Sequence, residues 1–151
     1  MITIAERIDM PRKNTQQFVL IPMIREKSHH ITVVARLSSR PARFVVDTGA
    51  GGTILDSKAV SRYKLKLSPA SGRGGGVGAA ATRMNYVAKH DLTLFELDLS
   101  STKLLTLDLC HVNAGLKKCE VKPVVGVLGA DVLWHHQAVI DYKRGLIILS
   151  I

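Results

Sequence analysis

Asp47-Thr48-Gly49-Ala50 is where this sequence places residue types able to do acid–base chemistry on a loop. Phe44-Val45-Val46 precede it and Ile54-Leu55-Asp56 follow, so a short apolar strand delivers a carboxylate to a tight turn. A carboxylate carried toward the interior is costly to ionise unless it is paired, hydrogen-bonded or protonated, which makes its pKa tunable. Thr48 adds a hydroxyl that can donate and accept, and Gly49 lacks the Cβ that would hold another backbone or a ligand away. An Asp-Thr-Gly also makes an ordinary turn, so the tripeptide alone leaves both readings open.

A second element lies near the C-terminus. Val124-Val125-Gly126-Val127-Leu128-Gly129-Ala130-Asp131-Val132-Leu133 reads as an apolar strand, a glycine and a helix start. Val139-Ile140-Asp141-Tyr142 and Gly145-Leu146-Ile147-Ile148-Leu149 then read as a hairpin. This order of motifs resembles the retropepsin-like aspartic proteases, whose pattern is D-T-G-A or D-T-G-S after two apolar residues, a glycine-rich flap, and an apolar-apolar-G-x-D or G-x-N segment before a short helix. The likeness runs from about Ile31 to the end of the chain.

The resemblance implies an all-β fold, a single-lobed acid protease β-barrel with one or two short helices. It also implies an aspartic endopeptidase without cofactor or metal, acting on polypeptides. Asp47 is then the catalytic residue, Thr48, Gly49 and Ala50 support its loop, and Gly129 and Asp131 form a structural motif at the helix start. Peptide hydrolysis in this family uses two carboxylates that share a proton around a water. The chain has one Asp-Thr-Gly, so the second carboxylate must come from Asp47 of another copy, and a homodimer is expected. The alternative is an inactive relative that keeps the fold as a binding or assembly domain. Gly51 and Gly52 depart from the family, whose members often carry there a polar side chain that helps hold substrate backbone.

Ser71-Gly72-Arg73-Gly74-Gly75-Gly76-Val77-Gly78 is the glycine-dense segment. Its glycines match a phosphate-binding loop poorly, and it reads as a mobile loop. The family's flap falls at this point in the order of elements, making Gly72, Arg73, Gly74, Gly75, Gly76 and Val77 candidate flap residues. A flexible linker or hairpin tip is the plain alternative.

Other elements must position these residues. Phe18 to Ile24 and Ile31 to Leu37 have strand character, with Ile31, Val33, Ala35 and Leu37 alternating onto one buried face. Ser38-Ser39-Arg40-Pro41 turns the chain into Ala42–Val46, and Asp56 stands ready to cap a short helix reaching Tyr63. Leu92–Leu99 and Leu104–Cys110, joined by Ser100-Ser101-Thr102-Lys103, predict a hairpin. The domain is expected to span residues 31–151, with residues 1–30 as an N-terminal extension that adds a strand, its first dozen residues a poorly ordered tail or edge strand.

Composition narrows the alternatives. A chain of 151 residues with 46% hydrophobic and 22% charged residues suits one compact domain. No apolar run approaches the roughly 20 residues that span a bilayer, and no basic and apolar leader marks a signal peptide, so a cytoplasmic setting is favoured over a secreted or anchored one. The net charge of +9 is spread along the chain: residues 1–46 hold eight basic and three acidic residues, and the rest hold thirteen and nine. With aromatic content at 5%, this favours a solvated basic surface over a nucleic-acid site. Cys110 and Cys119 are too few for a disulfide scaffold; they are expected as free, buried or half-buried thiols on either side of a turn at Asn113-Ala114-Gly115. The histidine pairs His29-His30 and His135-His136 do not converge on one metal, and His111 with the two cysteines lacks a fourth ligand.

Overall fold

The computed structural model describes residues 17–74 and 82–151. The N-terminal residues 1–16 and the candidate flap residues Gly75, Gly76 and Val77 lie outside the described residues.

Strand β3 (Ile31–Leu37) buries Ile31, Val33, Ala35 and Leu37, the alternation read from its sequence. It returns through Ser38 and Ser39, both at positive φ, into β4 (Arg40–Val46), with Leu37 opposite Arg40 and Thr32 opposite Val45. Two residues at positive φ between paired strands give the turn whose twist matches a hairpin, here without glycine.

Strand β11 (Gly126–Leu128) fixes the architecture. It runs parallel to β4, with Phe44 opposite Gly126 and Val46 opposite Leu128, and antiparallel to β5 (Ile54–Asp56) on its other side. Both parallel strands therefore end at one level and release their loops side by side. Gly126 is required where it stands, because a Cβ there would lie 2.3 Å from Phe44 Cε1 and 2.4 Å from the Ile54 carbonyl oxygen.

Beyond β5 come β10 (Leu105–Leu107), β7 (Thr82–Val87) and β6 (Leu67–Gly74), and beyond β3 come β8 (Thr93–Leu94) and β9 (Leu97–Asp98). A two-residue strand β2 (Ile24–Arg25) pairs with β3. A separate three-stranded sheet has β13 (Leu146–Ser150) between β1 (Phe18–Pro22) and β12 (Val139–Asp141), and β12 and β13 form the predicted C-terminal hairpin. Val19 and Ile21 of β1 and Ile147 and Leu149 of β13 join Val33, Leu37, Phe44, Leu55 and Leu128 in one core.

Three short helices complete the described residues: α1 (Ala59–Arg62), α2 (Cys110–Lys118) and α3 (Ala130–His135). Asp56 stands before α1 but does not cap it: its Oδ1 accepts from the amide of Lys58, the N-cap residue, at 3.1 Å, and the helix has no side-chain cap hydrogen bond. The region after Leu92 differs from expectation. The hairpin closes early, as β8 and β9 around Phe95, whose φ is positive, and β10 pairs with β5 and β7 instead. Asp98 and Thr102 explain the change: Asp98 Oδ1 accepts from the Ser100 amide, and the Thr102 amide closes on the Leu99 carbonyl, turning the chain away.

Helix α2 occupies the position expected for a turn at Asn113-Ala114-Gly115. Asp108 accepts from the Cys110 amide at 2.7 Å and so opens the helix. Asn113 spends its amide on the loop before β11, donating to the Val124 carbonyl and accepting from the Val124 amide, while Leu116 packs with Val45, Val121 and Val124. Cys110 and Cys119 are free as expected, but both are exposed rather than buried, because they flank a helix with Leu116 as its one buried residue. The Asp108 carboxylate beside it holds the Cys110 thiol above its ordinary pKa.

Candidate active site

The parallel pairing of β4 and β11 brings Asp47 and Gly129 out of the sheet together. The Asp47 amide donates to the Leu128 carbonyl at 3.1 Å, continuing the ladder by one residue, and then the loop closes. Asp47 Oδ1 accepts from the Gly49 amide at 2.8 Å and the Ala50 amide reaches back to the Asp47 carbonyl at 3.2 Å. The first bond fixes one oxygen of the carboxylate and leaves the other uncommitted, and the second closes the backbone turn. A Cβ on Gly49 would sit 3.3 Å from Asp47 Oδ1, so a glycine gives the carboxylate room.

Burial differs from the sequence expectation. Apolar residues do carry the backbone in, with Phe44 and Val45 buried, yet Asp47, Thr48 and Gly49 are all exposed in the single chain. The strand ends one residue early enough to lift the carboxylate clear of the core. Desolvation of Asp47 therefore has to come from something laid over the loop.

The loop is held from below by a residue that motif reasoning did not single out. Thr53 is fully buried, and its Oγ1 donates to Asp131 Oδ1 at 2.7 Å while accepting from the Gly129 amide at 3.1 Å. Its amide donates to the other Asp131 oxygen at 3.0 Å. The Ala130 amide donates to the Ala50 carbonyl at 2.7 Å, a second tie between the two segments. Gly129 makes this approach possible, since a Cβ there would lie 2.5 Å from the Gly52 carbonyl carbon and oxygen. The sequence signal for Thr53 was a lone hydroxyl between two glycines and the apolar pair Ile54-Leu55, which looks like any strand entry.

Asp131 lies in the first turn of α3, but its carboxylate reaches back to Thr53 rather than across to Asp47. Asp141 is committed too: its oxygens accept from the Arg144 amide and guanidinium at 2.9 and 2.8 Å, bonds that hold its pKa below the ordinary carboxylate value. Asp47 is thus the carboxylate of this end with an oxygen to spare among these three. Among the described residues no group of three His, Cys, Asp or Glu side chains gathers to hold a metal.

Of the candidate flap, Gly72, Arg73 and Gly74 lie at the end of β6, where Arg73 pairs with Arg83 and Gly74 with Thr82 across β7 after a register shift beyond Pro69. Gly51 faces open space, whereas a Cβ on Gly52 would press on Leu105 Cδ1 at 3.2 Å. The loop thus has room for a side chain at the first of its two unusual glycines. At the second, the end of the Leu105 side chain would have to give by a few tenths of an ångström.

Among the described residues no helix is long and apolar enough to cross a membrane. No curated protein matches the chain. Among solved structures, it is similar to a retropepsin-like aspartic protease from Rickettsia conorii, at 17% identity and a TM-score of 0.58, covering 91% of this chain and 95% of that one. It is similar as well to the EIAV protease complexed with the inhibitor HBY-793, at 20% identity and a TM-score of 0.50 over 69% of this chain and 85% of that one. These likenesses show the fold, a single-lobed retropepsin-like barrel with few short helices. A family model described as aspartyl protease matches residues 33–132, from the middle of β3 to the buried Val132 of α3, a span that holds both the Asp47 loop and the Thr53–Asp131 tie; the chain belongs to the aspartyl protease family.

Proposed function

We propose that the protein is an aspartic endopeptidase that works as a homodimer, with Asp47 of two copies forming the catalytic pair. The observation that carries this is the state of Asp47 in one chain: exposed, on a loop whose residues Asp47, Gly49 and Ala50 are held by four hydrogen bonds, with Asp131 and Asp141 engaged elsewhere. A half-site so held is complete as a part and incomplete as a catalyst. One Asp47 carboxylate, ionised, takes a proton from water as it attacks the scissile carbonyl; the other, protonated, donates to the carbonyl oxygen. Apposition lays the partner's loop over the carboxylate and removes water from it, and, separately, two like charges drawn together resist the second ionisation.

A surface suited to a second copy continues from the site. Helix α3 starts against Ala50 and ends where the Ser150 amide donates to the His136 carbonyl, joining the Asp47 loop to the three-stranded sheet. On the outward face of that sheet Leu20, Ile148 and Val139 stand in one row, with Leu20 and Val139 each 56% exposed. Trp134 on α3 is 85% exposed. Apolar groups of this size left in water favour a symmetric partner, which covers the same patch on both copies.

The β6–β7 hairpin, in which Gly72, Arg73 and Gly74 end β6, is assigned as the flap that folds over bound polypeptide. Thr48 is assigned to the dimer contact beside the carboxylate pair, and residues 1–30 to an extension whose β1 is added to the domain of residues 31–151.

Hydrolysis of an unstructured polypeptide, followed from about pH 3 to 8 with the dimer fraction measured in parallel, tests this reading, the range bracketing typical carboxylate pairs. The expected profile is a bell, its acid limb reporting loss of the ionised partner and its upper limb loss of the shared proton. Turnover by a monomeric species, or retained turnover in Asp47→Asn, would overturn it.

A further inference from the structure

Basic residues that are scattered in sequence are gathered by the fold at one end of β4. Arg36 and Arg40 flank the β3–β4 turn, Arg62 ends α1, Lys64 and Lys66 lie between α1 and β6, and Lys89 follows β7. Hydrogen bonds draw these three segments together. Ser38 Oγ donates to the Tyr63 carbonyl at 2.9 Å and the Ser38 amide donates to Asp91 Oδ1 at 2.6 Å. Arg40 donates to the Arg62 carbonyl at 3.0 Å, and the Ala88 amide donates to the Lys66 carbonyl at 2.8 Å.

The charge of this pole is uncompensated. Its six cations are exposed, and among the described residues none forms an ion pair with a carboxylate. Within residues 36–40, 62–66 and 88–91 the one carboxylate is Asp91, which is turned onto the Ser38 amide. Asp98 lies two strands from Arg36, across Thr93, and its Oδ1 is taken by the Ser100 amide. Two guanidiniums are oriented by neutral oxygens alone: Arg36 donates to the Ser39 carbonyl at 3.2 Å, as Arg40 does to that of Arg62. Each keeps its charge and the rest of its donor fork for a ligand.

We propose that this pole is a docking site for a run of acidic residues in a polypeptide, and, resting on the peptidase reading above, that it selects substrates carrying such a run. Strand β4 has Arg40 at one end and releases Asp47 at the other, seven residues on, roughly 23 Å at 3.3 Å per residue. An extended substrate covers that distance in about seven residues, so the acidic run lies at least that far from the bond that is cut. A single exposed ion pair contributes little, and recognition therefore needs several carboxylates together. The pole offers no exposed ring for a base to stack on, since Tyr63 is buried, and none of its three segments has an exposed large apolar side chain to enter a bilayer. Carboxylates on a flexible chain are the anions that fit.

Fluorescence anisotropy of a labelled hexaglutamate peptide tests this on the full chain carrying Asp47→Asn, so that no turnover is involved. Saturable binding is expected, weakened about tenfold by Lys64→Gln, Lys66→Gln and Lys89→Gln together. The same charge change made with Lys117→Gln, Lys118→Gln and Lys143→Gln should alter Kd by less than about twofold, because Leu116 packs α2 against Val45 near the other end of β4 and Lys143 lies in the β12–β13 turn. Absent binding, or equal weakening by both sets, would overturn the proposal. Tighter binding of a thymidylate hexamer or of phosphatidylserine vesicles than of the peptide would overturn it too, assigning the pole to phosphate. With the parent protein, a substrate bearing the glutamate run should show a KM about tenfold below its glutamine counterpart at equal kcat, and the pole variant should erase the difference. Equal KM values would remove the selection of substrates. Binding by a protein that cleaves neither peptide would leave the docking site standing and the peptidase reading refuted.

Discussion

Thr53 Oγ1 and Asp131 Oδ1 meet at 2.7 Å across 78 residues of sequence, and the same hydroxyl oxygen accepts the Gly129 amide. One buried hydroxyl thus satisfies groups from both segments that build the Asp47 loop. Thr53→Val is expected to leave an Asp131 oxygen and the Gly129 amide unpaired and to destabilise the fold by about 2–4 kcal/mol. Urea unfolding measures this. Thr53→Ser, which keeps the hydroxyl, should recover most of the loss.

Asp47→Asn should behave in the opposite way. The amide oxygen can still accept from the Gly49 amide, so unfolding free energy should stay within about 0.5 kcal/mol of the parent, as for other exposed positions. Peptidase turnover should fall by at least about a hundredfold, the usual scale of acid–base catalysis, since an amide cannot share the proton. Thr48→Val should lower activity and dimer affinity together.

Glycines near the site fall into two groups. A Cβ on Gly126 or Gly129 would overlap backbone atoms at 2.4–2.5 Å, so Gly126→Ala and Gly129→Ala should each cost about 3 kcal/mol or more, at the upper end for overpacked interiors. Gly51 has nothing within 4 Å of a built Cβ, and Gly51→Ala should leave the thermal midpoint within a degree or two. If the proposed peptidase reading holds, a polar residue there, as in Gly51→Asp, should lower KM by adding a contact to substrate backbone.

Stability should depend on acid through Glu26. Burial opposes its ionisation, but hydrogen bonds from Thr32 and Arg43 and the Arg43 charge outweigh it, and its pKa is held below the ordinary value. The native state therefore binds a proton less readily than the unfolded chain, so this contribution is complete above the unfolded pKa, near 4.3, and is lost as pH falls through the lower native value. Glu26→Gln should lower stability at pH 7 and flatten the acid side of a melting-temperature profile. Arg43 Nε is buried without a hydrogen-bond partner, so the guanidinium leans on this carboxylate all the more.

Association should depend on the outward row of the terminal sheet. Leu20→Glu or Trp134→Lys is expected to weaken the dimer by about 2 kcal/mol or more, roughly thirtyfold in Kd, as for apolar residues central to an interface. Sedimentation equilibrium reads this directly, and activity per dimer should remain unchanged.

The sequence made legible whatever was local and periodic. Ile31 to Leu37 alternate because one face of β3 is core, and Val124 to Leu133 announce strand, glycine and helix in order. Asp47 stood out because its loop chemistry is compact in sequence. Thr53 did not, because its importance comes from partners 76 and 78 residues away. Helix α2 was missed for a related reason: Asn113 and Gly115 look like turn residues until Val124 takes both ends of the Asn113 amide. The exposure of Asp47 was hidden as well, since apolar neighbours report where the backbone goes and not where one side chain ends.

Strands β4 and β11 lie side by side, yet about eighty residues of chain separate them. During synthesis, then, the D-T-G segment leaves the ribosome long before its supports exist, and at 5–20 residues per second it waits several seconds for Gly126 through Asp131. Until the last quarter of the chain arrives, Asp47 has no rigid platform and no α3 beside it. If the proposed peptidase reading holds, a nascent or truncated chain has no formed half-site with which to cut its neighbours, and the order of the two halves of the site along the gene delays activity until synthesis is nearly done.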